Sequence, residues 1–158
     1  MTRNKIDLGP TGVTVAENIA HWREERRIDF AELSRRLAAL GRVIPPLGLR
    51  RIENQERRVD TGDLAALALA LNVSPLALLL PAPPTATGQI VPKGDQLAAE
   101  RIWAWGLGQD SLSGDRLTFL RDSNPFLRIE GQLTGHGVLS GTAIPLAQEK
   151  EDDADGDR

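Results

Sequence analysis

The sequence predicts a mainly α-helical protein: a five-helix bundle over residues 14–80, followed by a small C-terminal region with one helix and a candidate short hairpin. Three observations carry this. Apolar residues recur at helical spacing in successive short blocks. Each block follows a residue suited to starting a helix: Thr14, Asp29, Pro45, Asp60 or Ser74. The pattern stops at Pro81-Ala-Pro-Pro-Thr-Ala-Thr-Gly88, whose composition is that of a linker.

Thr14 and Glu17 have capping-box spacing, so the first helix is expected from Val15 to Arg27, with Val15, Ile19 and Trp22 on one face. Asp29 caps a second helix, Phe30 to Leu40, with Phe30, Leu33 and Leu37 as its apolar stripe and Gly41 as its stop. Ile44 precedes a proline and is pushed out of the helical region. A third helix starts at Pro45 or Pro46, where a missing amide costs nothing, and ends near Asn54 with Leu49 and Ile52 inward. The fourth, Thr61 to Leu71, is nearly all Ala and Leu and is expected at the buried centre, capped by Asp60 or Thr61. Ser74 caps a short fifth helix, Pro75 to Leu80.

The corresponding layout is a flexible arm over 1–13, the helical domain over 14–80, a linker over 81–94, a C-terminal region over 95–147 and a disordered acidic tail over 148–158. In the C-terminal region Asp95 is expected to cap a helix from Gln96 to Trp105, with Ala98, Ile102 and Trp105 on one face. The apolar runs Leu117–Leu120 and Phe126–Ile129 are the candidate hairpin strands.

Composition narrows the functional classes. There are no cysteines, which excludes disulfides and thiolate metal sites. His21 and His136 have no carboxylate or second histidine at ligand spacing, so no metal or other cofactor is expected. Gly131 to Gly141 lacks the Lys-Ser/Thr ending of a phosphate loop. Nothing activates Ser111, Ser113 or Ser140, so no enzyme is expected. With no long apolar run, the expectation is a cytoplasmic protein without a membrane segment. The net charge of −3 conceals an asymmetry. Residues 1–80 carry 12 basic and 10 acidic side chains, net +2, and residues 81–158 carry 7 and 12, net −5. Residues 42–58 alone hold five arginines against two glutamates, a local basic patch that an acidic whole does not cancel.

Residues 14–80 resemble the Xre/Cro family of lambda-repressor-like helix-turn-helix regulators. The resemblance rests on Ile19, Trp22 and Arg23 in the first helix, and on Leu33-Ser34-Arg35-Arg36-Leu37 in the second. Leu49-Arg50-Arg51-Ile52-Glu53-Asn54 carries it in the third, and Leu64, Leu67, Ala68, Leu71, Val73, Leu76 and Leu79 carry it at the close. Three positions depart from the family pattern. The stretch Ala38 to Ile44 is longer than the family's tight turn, Phe30 stands where a DNA-touching glutamine is common, and Gln55 stands where glycine usually takes a left-handed backbone.

The resemblance implies a sequence-specific transcriptional regulator, a repressor in the usual case, that reads double-stranded DNA in the major groove with its third helix. The outward face, Pro46, Leu47, Arg50 and Arg51, is then expected to meet bases, with Arg51 and Arg50 donating to guanine. Arg42, Asn54, Arg57 and Arg58 are expected to hold phosphates, and Arg3 and Lys5 could reach a groove from the arm. Arg23 and Glu53 are expected to form a structural ion pair that orients the third helix. A half-site reader is commonly a dimer, and Trp103 and Trp105 are the candidate homodimer contacts, against the plainer reading of a helix packed on the bundle or on a small C-terminal core. A rival class is an antitoxin-like or adaptor module whose bundle and acidic C-terminal half bind a protein partner.

Overall fold

A computed structural model describes residues 6–82 and 87–124, together with the backbone of two further strands, Leu127–Leu133 and Leu139–Pro145. The chain divides into two compact units, Met1–Gly106 and Leu107–Arg158. Arg3, Lys5, His136 and the acidic tail 148–158 lie outside the described residues.

The first unit is mainly helical. Helices α1 (Gly9–Glu25), α2 (Phe30–Ala39), α3 (Pro46–Glu53), α4 (Thr61–Leu71) and α5 (Pro75–Leu79) surround a core that includes Ile19, Leu33, Leu37, Ile44, Leu49, Ile52, Leu67, Leu71 and Leu78. Local chemistry sets most boundaries. The carboxylates of Asp29 and Asp60 and the hydroxyl of Ser74 accept amide hydrogens from Glu32, Asp63 and Ala77 at the starts of α2, α4 and α5. Gly41 closes α2 at φ 78°, with its own amide bonded to the Ala38 carbonyl and that of Arg42 to the Leu37 carbonyl. Non-glycine residues close three other helices in the left-handed region: Arg27 after α1, Gln55 after α3 and Asn72 after α4.

Several expectations need correction. Helix α1 starts at Gly9, not Val15, so part of the expected arm is helical and Thr14 caps nothing. Pro10 suits the first turn, Asp7 Oδ1 accepts from the Gly9 amide, and the Thr11 hydroxyl donates to the Ile90 carbonyl. The fourth helix is not enclosed on all sides, because Ala65 and Leu69 are exposed. The stretch expected as a linker contains strand β1 (Thr87–Gly88), paired antiparallel with β2 (Leu97–Ala98). Helix α6 therefore begins at Ala99, and Ala99 and Ile102 are buried while Ala98 is exposed.

Helix α6 (Ala99–Gly106) falls in the first unit, not in a separate C-terminal region. The Trp103 indole N–H donates to the Pro81 carbonyl at 2.8 Å. A Cβ on Gly106 would stand 2.6 Å from Leu80 Cδ1, so any larger residue at the end of α6 would make the Leu80 side chain shift. Asn18, buried in the middle of α1, donates to the carbonyls of Leu78 and Leu80 and holds the end of α5.

In the second unit Leu117–Leu120 is helical, not extended: it lies in α7 (Arg116–Ser123), whose start Asp115 caps by accepting from the amides of Leu117 and Thr118. The hairpin is instead β3 (Leu127–Leu133) with β4 (Leu139–Pro145), antiparallel, Leu127 opposite Pro145 and Leu133 opposite Leu139. Phe126, expected at the start of a strand, lies outside the described residues.

Candidate nucleic-acid interface

Helix α3 presents two different faces. Leu49 and Ile52 are fully buried. Leu47, Arg50, Arg51 and Asn54, at spacings of three, four and seven residues, share the opposite face, and all four are exposed. Pro45 has extended backbone and Pro46 opens the first turn, so neither removes a hydrogen bond the helix needs.

The position of α3 is fixed at both ends by charge pairs. At the C-terminal end Arg23 of α1 grips Glu53 with two parallel bonds, Nε to Oε1 at 2.7 Å and Nη2 to Oε2 at 2.9 Å. Both side chains are largely buried, and the Glu53 hydrogen bond raises the Arg23 pKa above its ordinary value. Arg23 also donates to the Ile28 carbonyl and lies 4.3 Å from the centre of the Phe30 ring.

Asp63 of α4 holds the segments on either side of α3, and nothing in the sequence pattern marks it as a partner of either. Its side chain is only 1% exposed and accepts from Arg42 Nε at 2.6 Å and from Arg57 Nη2 at 2.8 Å. Arg42 precedes α3 and Arg57 follows it, so a single carboxylate ties both flanks of the helix to α4. Arg42 also reaches Asp60 at 2.6 Å, and its pKa is raised, first by the Asp63 hydrogen bond. Gly48 belongs to the same assembly: a Cβ there would lie 3.2 Å from Arg57 Nη1. One clue was legible. Asp63 is the only charged residue in an otherwise apolar helix, three residues after its cap.

The expected site residues therefore separate into groups. Arg42 and Arg57, expected at phosphates, are engaged by Asp63, with two acids against two arginines in that cluster. Arg58 donates to the Asp7 carbonyl at 2.8 Å and meets no carboxylate among the described residues. Arg50 lies 5.2 Å from the Phe30 ring centre, so Phe30 is a platform for two arginines, Arg23 and Arg50. The Arg51 carbonyl accepts from the Glu56 amide, while its guanidinium has no hydrogen-bond or ion-pair partner among the described residues. Asn54 is exposed at the helix end.

Apolar surface accompanies these charges. Leu40 is exposed at the end of α2, Val43 is 79% exposed in the following loop, and Leu47 is 60% exposed in the first turn of α3. Trp103 and Trp105, the candidate dimer contacts, are each half-buried. Among the described residues no group of His, Asp and Glu side chains is placed to hold a metal ion, and no helix is long and apolar enough to cross a membrane. Compared with known protein families, curated proteins and solved structures, the chain matches none of them.

Proposed function

We propose that α1–α5 form a lambda-repressor-like DNA-reading domain and that the protein is a cytoplasmic, sequence-specific transcriptional regulator, acting as a repressor. The observation that carries this reading is the division of α3. Its inner face is locked through Leu49, Ile52 and Glu53, while Leu47, Arg50, Arg51 and Asn54 stand together on the outside. A helix held at both flanks with arginines free of carboxylates outward suits the major groove, where arginine donates two hydrogen bonds to guanine O6 and N7. Arg51 is the principal base reader and Arg50 the second, pre-positioned by Phe30. Arg58 and Asn54 supply phosphate contacts. Two copies on an inverted repeat complete the reading, and Trp105 is the better placed of the two tryptophans for a dimer contact, since the Trp103 N–H is already bound. No catalytic role belongs to this reading.

The test is selection of sites from a random duplex library at one stated salt concentration, with the parent and with Arg51→Ala. A defined motif that collapses in the variant supports the reading; motif-free or absent binding overturns it. A second reading, a protein-interaction module of antitoxin or adaptor type, is favoured by the exposed Leu40, Val43 and Leu47 and by the neutralised Arg42 and Arg57. It predicts partner binding that Leu47→Asp abolishes and Arg51→Ala leaves intact.

A further inference from the structure

Resting on the DNA-binding reading, we infer that the protein recognises the C5-methyl group of a pyrimidine beside a guanine, through Leu47 and Val43 acting with Arg51. Leu47 is the hinge of the argument. It stands on the exposed face of α3, one turn before Arg50 and Arg51, and side chains at three and four residues' spacing are surface neighbours. Val43, in the preceding loop, is the most exposed of the large hydrophobics among the described residues. Neither side chain can hydrogen-bond a base edge. The one apolar feature on the major-groove edge of a base pair is the methyl on C5 of thymine, and 5-methylcytosine carries the same group at the same position.

The charge around these residues argues for a nucleic-acid occupant. Arg50 and Arg51 are unengaged by carboxylates among the described residues, and Arg50, on the same helix as Leu47, lies over the Phe30 ring. One helical turn advances about 5 Å, between one and two base steps of 3.4 Å, so Leu47 reaches a base one or two steps from the guanine met by Arg51. A methylated pyrimidine next to guanine, as in TpG or 5-methyl-CpG, satisfies both contacts at once.

The experiment takes the selected duplex and replaces each thymine in turn by deoxyuridine, which removes only the methyl. In parallel, cytosine and 5-methylcytosine are compared at the same position opposite guanine. Binding of the full chain is measured by fluorescence anisotropy at fixed salt for the parent, Leu47→Ala and Val43→Ala. At one position, one or two steps from the Arg51-dependent guanine, loss of the methyl weakens parent binding by about fourfold, the affinity of roughly one buried methylene. At that position 5-methylcytosine binds more tightly than cytosine by a similar factor, and Leu47→Ala abolishes both differences. Leu47 is exposed, so its truncation leaves the fold intact, which a melting curve checks. A selected, Arg51-dependent motif that tolerates every uracil and ignores cytosine methylation overturns this inference and leaves the DNA reading standing. Failure to select any motif overturns both.

Discussion

Replacing Asp63 by asparagine keeps the shape of the side chain and removes its charge. The native carboxylate accepts from Arg42 on one oxygen and from Arg57 on the other. An asparagine offers one acceptor and sets its NH2 group against an arginine N–H, donor facing donor. A hydrogen bond to a charged partner contributes about 1.5–3 kcal/mol, and breaking a fully buried pair costs ~3–5 kcal/mol. Asp63 is buried, but the arginines are 40% and 36% exposed and regain water when released, which places the cost at the lower end. We expect a loss of about 2–3 kcal/mol, a fall in Tm on the order of 10 °C or more for a unit of this size. Urea unfolding followed by circular dichroism measures it, with the midpoint falling and the slope unchanged. Combining Asp63→Asn with Arg57→Gln should give a non-additive cycle, since the two residues share one interaction. The released arginines also become available to phosphates, so below the variant's Tm the salt dependence of DNA binding should steepen by about 0.9 per phosphate gained. A stability loss under about 0.5 kcal/mol, within the range of ordinary surface substitutions, would refute the clamp.

Arg23→Ala should destabilise the fold by roughly 3 kcal/mol, because it strands Glu53 in a largely buried site, and DNA binding should fail through misplacement of α3; an unchanged melting curve beside lost binding would contradict this. Gln55→Gly should stabilise the protein by about 0.5–1 kcal/mol, since Gln55 sits at φ 61°, where a Cβ is strained, and DNA affinity should be unaffected. A lower urea midpoint in that variant would count against the argument. Asn18→Ala leaves the carbonyls of Leu78 and Leu80 without their side-chain donor and should cost about 1–3 kcal/mol, with amide exchange in α5 accelerating first. The Asp60 carboxyl is held below the ordinary aspartate range, first by the Asp63 amide and then by Arg42. Its contribution is therefore complete above pH ~4 and lost as pH falls through the depressed value, and Asp60→Asn should flatten the acid limb of a stability–pH profile.

What the sequence made legible was mostly local. A carboxylate or hydroxyl beside the first helical amides is a short-range arrangement, so Asp29, Asp60 and Ser74 could be read as caps from their neighbours alone. The same rule misplaced the start of α1, because the spacing of Thr14 and Glu17 fits a cap and also fits a helix interior. The extra turns gain a tertiary tie in the Thr11–Ile90 hydrogen bond, across 79 residues. Helix α7 was missed for the converse reason. Ser113-Gly114-Asp115 resembles a turn, and four residues of Leu-Thr-Phe-Leu cannot by their pattern distinguish a buried strand from a helix.

The arginines mark the limit most clearly. Between residues 42 and 58 the sequence shows five of them, and counting charge makes one basic patch. Pairing is decided by partners far along the chain, Glu53 by Arg23 across 30 residues and Arg42 by Asp63 across 21. Asp63 escapes notice because one acid barely alters the apolar average of its helix. Once both clusters form, Arg42 and Arg57 hold α3 in place, and only Arg50, Arg51 and Arg58 remain without a carboxylate among the described residues. A DNA reader of the proposed kind, built this way, has few cations for phosphates and a fixed helix for bases. On the proposed DNA reading, affinity should therefore depend weakly on salt, with a slope of about −1 per half-site from Arg58, and strongly on sequence. A steep slope with little sequence preference would mean that Arg42 and Arg57 leave Asp63 for the phosphates on binding, and that α3 is held by the DNA instead of by α4.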